Sequence, residues 1–174
     1  MTNSDLNFEI NSSNNSIEHV ASGKKFRIHI LPLIKHDLQQ VTKKKGWLFN
    51  WKTEFGDEGK KVFKLVTLEN PIVIQGLVSL KFESGYLVIE LIENAPFNRS
   101  RTKEYAGVMG NLVAYACKLS FEKNNGGYVS FVAKTRLIEH YKKELGAVHE
   151  GGQLMVIYPN QAAKLVKQHF KTDL

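Results

Sequence analysis

The sequence predicts an α/β domain with a mixed, mostly antiparallel sheet flanked by helices. Three observations carry that prediction. Strand-like runs crowd the stretch from Trp47 to Ile92, joined by turns too short to hold crossover helices. From Gly107 onward the apolar spacing becomes helical, and helix and strand then alternate to the end of the chain. Between the two regimes lies a polar loop containing Pro96, which runs into Gly107 and Gly110 at the head of a helix.

Residues 1–24 read as a polar tail rich in asparagine and serine, although Leu6, Phe8 and Ile10 alternate as a short edge strand would. A single domain is expected over 25–174. Phe26, Ile28 and Ile30 alternate with Arg27 and His29, so 26–31 reads as a strand that Pro32 ends. Ile34, Leu38 and Val41 suit an amphipathic helix over 33–44, closed by Lys43-Lys44-Lys45-Gly46. Trp47, Phe49 and Trp51 share one face of an expected strand. Residues 62–68 and 72–82 are further strands separated by Asn70-Pro71, with Gly76 a candidate bulge. A hairpin at Ser84-Gly85 leads into 86–92, whose near-continuous apolar run suggests a central strand covered on both faces.

In the second half, Val108, Leu112, Tyr115, Ala116 and Leu119 mark a helix over 107–121. A turn at 124–127, a strand at 128–133 and a helix at 136–145 closed by Gly146 come next. A strand at 153–158 and a final helix at 161–170, capped by Asn160, complete the order.

The chain has 174 residues, 43% of them apolar and 24% charged, which excludes disordered, collagen-like and disulfide-scaffold classes. Its single cysteine, Cys117, reads as a small core residue of the helix. No apolar run approaches a membrane span, and Thr2-Asn3-Ser4-Asp5 lacks the features of a secretory leader, so a cytoplasmic protein is expected. The formal charge of +7 favours phosphate-bearing partners. The six histidines and one cysteine lack zinc-ligand spacing, and neither a Walker sequence nor a GxSxG elbow occurs.

The chemistry-bearing stretch is strand, loop, helix. A helix start leaves backbone N–H groups free and carries positive potential, and Gly107 and Gly110 bare the backbone there. With Arg99, Arg101 and Lys103 just upstream, this could hold a diphosphate. The alternative is that the glycines only permit close helix packing.

Residues 61–158 resemble the GNAT acyltransferase superfamily. The three strands of 62–92 resemble those preceding that family's cofactor loop. The stretch Tyr105-Ala106-Gly107-Val108-Met109-Gly110-Asn111-Leu112 sits where the family places its Q/R-x-x-G-x-G/A loop and helix. Residues 127–135 resemble the next strand, and Tyr141 to Gly146 and Ala147 resembles its Tyr-x-x-x-Gly-Phe ending, with one extra residue. Tyr105 and Ala106 stand where a basic residue and glycine are common, Thr135 near a common asparagine, and Ala147 for phenylalanine.

The resemblance implies an acetyl-CoA-dependent N-acetyltransferase acting on an unidentified amine, in a homodimer. Backbone groups of Gly107, Val108, Met109, Gly110 and Asn111, with Lys103 and Thr135, would hold the cofactor. Leu91, Ile92 and Glu93 would line a splayed strand edge. Tyr141 would be the general acid, and Glu93, nearest the ligand end of its strand, the general base, with Glu90 on the opposite face. Two other classes remain: a binding module on this fold with a decayed cofactor site, and a nucleic-acid-binding protein using Lys43–Lys45 with Trp47, Phe49 and Trp51.

Overall fold

The computed structural model describes residues 15–170; the 1–14 part of the expected tail, including Leu6, Phe8 and Ile10, lies outside the described residues. In chain order the elements are β1 (Ser16–His19), β2 (Lys25–Pro32), α1 (Trp51–Gly56), β3 (Lys61–Thr67), β4 (Gly76–Phe82) and β5 (Leu87–Asn94). Then come β6 (Tyr105–Ala106), α2 (Val108–Glu122), β7 (Val129–Val132), α3 (Ile138–Leu145), β8 (Val148–His149), β9 (Leu154–Ile157) and α4 (Pro159–His169). Among the described residues the strands form one nine-stranded sheet in the order β6-β1-β2-β3-β4-β5-β7-β9-β8. Every neighbouring pair is antiparallel except β5 and β7. The predicted α/β architecture is the observed one.

Two cores lie on either side of the central strands. In the larger, Val78, Leu80, Leu87 and Ile89 meet Leu112, Ala116 and Leu119 of α2 and Leu165 of α4. Helix α2 is apolar nearly all round because it is packed between the sheet and α4, and Cys117 is fully buried within it. Burial pushes the Cys117 thiol up to about 12, so it is an inert packing group. The smaller core gathers Leu33, Val41, Trp47, Trp51, Val62, Ile74, Leu77 and Ala95.

Residues 16–24, read as tail, instead form β1 and its turn onto β2; Ile17 is the only residue of this strand that reaches the core, so its signal was weak. Residues 33–44 form no α-helix. The Asp37 carboxylate accepts from the Ile34 N–H (3.0 Å) and from Lys64 Nζ on β3 (2.7 Å), which pins one short 3-10 turn at 35–39. Thr42 Oγ1 then accepts from the Lys45 N–H and starts a second at 43–45, ended by Gly46 at φ +97°. Residues 47–51 are not a strand either: Asn50 Oδ1 accepts from the Thr53 N–H and caps α1.

Gly76 decides how closely α2 approaches. A Cβ there would lie 2.6 Å from Val108 Cγ1 and 3.2 Å from the Glu93 carbonyl oxygen. Gly76→Ala should therefore destabilise the fold by about 1–3 kcal/mol through overpacking, read as a lowered midpoint in urea unfolding.

Candidate active site

On β5 the ladder with β4 slips by one residue. Ser79 pairs with Leu91 and Leu80 with Ile89, leaving Glu90 as an extra residue in a bulge. The slip reverses side-chain parity. Leu87, Ile89 and Ile92 join the larger core, whereas Leu91 and Glu93 turn to the smaller one. The strict alternation that set Glu90 and Glu93 on opposite faces is thereby broken, and both line the same cleft.

Beyond the bulge β5 also loses its other neighbour. Pairing with β7 covers Leu87, Val88 and Ile89 only. The strands then part, and a cleft of about 300 Å³ opens between them. On the side of α2 its walls include Met109, Val113, Leu137 and Tyr141; on the side of the smaller core they include Leu48, Phe49 and Arg99. The cleft therefore passes through the sheet. The expected Leu91 and Ile92 lie along it, and Asn94 Oδ1, buried in its wall, has no hydrogen-bond partner among the described residues.

Tyr141 is half-buried and stacks edge-on against Phe131, with ring centroids 5.3 Å apart. Burial pushes its hydroxyl above the ordinary tyrosine range, so the group keeps its proton at neutral pH.

Glu93 is 4% exposed, and its carboxylate is already occupied. It accepts from the N–H groups of Leu48 (2.7 Å) and Phe49 (3.2 Å) and from Trp51 Nε1 (2.8 Å), with Arg99 Nη1 at 3.9 Å. The expectation of a general base at Glu93 is corrected on this ground. A base needs a free lone pair facing the substrate, and here N–H donors take both oxygens. Glu93 instead fastens the 47–51 segment to the end of β5. Glu90 lines the cleft, and no hydrogen bond or ion pair engages its carboxylate among the described residues.

The start of α2 is mixed. Gly107 is exposed at φ +95°, and the helix has no side-chain cap. Val108 is buried against Gly76, Gly110 faces His169, and Asn111 Nδ2 donates to the carbonyls of Gly107 (2.7 Å) and Ser16 (3.0 Å). Of these only Met109 lines the cleft. Lys103 is exposed just before β6. Thr135 lies on an exposed turn, where its Oγ1 accepts from Gln153 Nε2 (3.3 Å); its neighbour Lys134 lines the cleft instead. The aromatic surface expected for stacking nucleic-acid bases is absent in that form. Trp47 and Trp51 are buried, and only Phe49 stays accessible.

No family model and no curated protein matches the chain. Solved structures do match it. A chimera of the Vibrio cholerae spermidine N-acetyltransferase SpeG and hSSAT superposes with a TM-score of 0.60 at 16% identity, over 78% of this chain and 98% of that one. SpeG from Vibrio cholerae in complex with manganese ions gives 0.57 at 16%, over 79% and 95%. A dodecameric structure of that enzyme gives 0.56 at 16%, over 77% and 95%. The chain has the GNAT fold. Within this GNAT fold, what is particular to the chain is the carboxylate latch of Glu93 and the bulge beside it.

Removing the latch should be costly. Glu93→Ala strands the buried Trp51 Nε1 donor and leaves two part-buried N–H groups that water reaches more easily, so a loss of about 1–3 kcal/mol is expected in chemical unfolding. Glu93→Gln, which keeps one acceptor oxygen, should lose less.

Proposed function

We propose that the protein is an acetyl-CoA-dependent N-acetyltransferase that acts on an amine acceptor. The through-sheet cleft, with a proton-bearing tyrosine on its wall, carries this reading. It admits two reactants from opposite faces of the sheet and brings them together beside Tyr141.

The residues present fit the cofactor in three respects. Among the described residues the edge of β5 beyond Ile89 has no ladder partner on the β7 side, so its backbone is available to an extended amide-bearing chain. Asn94 Oδ1 is an unmet acceptor on the same wall. Gly107 opens an uncapped helix start, where N–H groups and positive potential suit a diphosphate. When bound, acetyl-CoA supplies an acyl thioester to be attacked by a neutral amine. Tyr141 holds the proton that the departing sulfur requires. Glu90, raised out of register by the bulge, receives the proton that the amine must shed, directly or through water. Tyr105 and Ala106, where a basic residue and glycine are common, are what favour the second reading, a binding module without turnover.

The acetyl-transfer reading includes a homodimer. The sheet face bearing Tyr86, Tyr128, Val132, Leu154 and Tyr158 is exposed, and no charged residue lines its shallow depression. On a chain of charge +7 this is where two copies meet with least repulsion. Leu154→Lys should convert a dimer to a monomer in sedimentation velocity.

Calorimetric titration with acetyl-CoA tests the reading directly, with saturable binding expected; no binding at millimolar cofactor would remove it. Tyr141→Phe should lower kcat about 10²-fold while cofactor affinity is kept. Because the acid must be protonated and burial raises its pKa, the fall in kcat from this group should come only above the ordinary tyrosine pKa of about 10.

A further inference from the structure

We infer that the acceptor amine is carried on RNA, as the aminoacyl ester of a 3′ end. This inference rests on the acetyl-transfer reading and names its acceptor class. The observation behind it is where the charge lies. Two segments, 43–53 and 95–104, supply Leu48, Phe49 and Arg99 to the cleft wall. Between them they hold Lys43, Lys44, Lys45, Lys52, Arg99, Arg101 and Lys103 against a single acid, Glu104. Seven cations and one acid account for six of the chain's seven net charges, so the rest of the chain is close to neutral.

The two segments form one rim. Arg99, which lines the cleft, donates from Nη2 to the Gly46 carbonyl, and Pro96 packs against Gly46. Glu93 ties Leu48 and Phe49 to β5 by their N–H groups. All the lysines of the rim are exposed. Of the nearby acids, Glu54 is paired with Lys60 (3.1 Å), while Glu90 and Glu93 in the cleft offset two of the cations and leave the rim positive. A rim of this sign repels a polycation and gathers a polyanion. An amine with one or two phosphates would engage one or two of these groups. A phosphodiester chain engages a rim spread over two loops.

Chemistry narrows the carrier further. Attack on a thioester needs an aliphatic amine with a free lone pair. The amino groups of nucleic-acid bases are delocalised into their rings and do not offer one. An aminoacyl ester does, and an α-amine with a pKa near 8 is substantially neutral at physiological pH. Its nitrogen attacks the acyl carbon; the C–N bond forms and the C–S bond breaks. The amine proton passes to Glu90 and the sulfur takes a proton from Tyr141, while the ester to RNA stays intact. Phe49, 37% exposed, and Leu48, 62% exposed, give the aminoacyl side chain or terminal base an apolar surface at the mouth.

The test uses the full chain with acetyl-CoA. Radiolabelled acetyl transfer is measured to a mixed aminoacyl-tRNA pool, with a polyamine and phosphoethanolamine as separate acceptors. Binding of a fluorescent tRNA is measured across salt. Label should enter the tRNA pool, and affinity should fall steeply with salt. The combined variant Lys43→Gln, Lys44→Gln and Lys45→Gln should raise KM for the tRNA pool tenfold or more and shallow the salt slope by about 2, at about 0.7 per phosphate contact. Its acetyl-CoA affinity should stay at the wild-type value, which also shows that it folds. Label entering either small amine in preference to tRNA would overturn the inference, as would tRNA binding that is absent, or equal in the variant. Each of those results leaves acetyl-CoA binding intact. Failure of the wild-type protein to bind acetyl-CoA is read separately by calorimetry and would overturn the activity and its acceptor together.

Discussion

Glu90 has no partner opposite it on β4, and from that surplus residue onward β5 no longer pairs with β7. Three properties of the site follow from that one irregularity. The strands part, so the sheet has an opening. Side-chain parity reverses, so Ile92 continues the larger core where strict alternation would have placed Leu91. Glu93 is turned toward the smaller core, where donors wait for it. A regular β5 of the same composition would pair along its length and close the passage.

Glu93 shows how position overrides residue type. A carboxylate at the end of a strand beside a cleft is chemically suited to accept a proton. Burial without partners would be prohibitive for the ion, and the fold meets that cost with two backbone N–H groups and an indole N–H. The same bonds that stabilise the charge withdraw it from chemistry. Glu90, less enclosed and coupled to Lys60 and Lys81 only through space, keeps the freedom that Glu93 has lost.

How much of this was legible in the sequence depends on how far apart the deciding atoms lie. The strands of 62–92, helix α2 and the alternation from β7 to α4 were readable because apolar period and burial agree there. The 33–56 stretch was not. Its conformation is set by Asp37 reaching Lys64, and by Asn50 and Thr42 capping short turns, and these local polar bonds compete with an apolar spacing that suits helix or strand equally well. The bulge was illegible because Ile89, Leu91 and Ile92 are interchangeable in an alternation rule. The role of Glu93 was illegible because its partners lie 42–45 residues away. Tyr141, singled out by its motif, lines the cleft; Arg99 and Phe49 drew notice only for a diphosphate and an aromatic face, and Leu48 carried no signal of its own, yet the fold brings all three to the cleft wall.

The two cores lie on opposite faces of the central strands, and each supplies one side of the passage. Packing errors in one therefore need not propagate into the other. The smaller core, with the segment it carries, can accumulate substitutions and reshape one entrance while the helices behind the other entrance keep their arrangement. Such a division lets descendants of one ancestral scaffold change what they modify without rebuilding how they modify it.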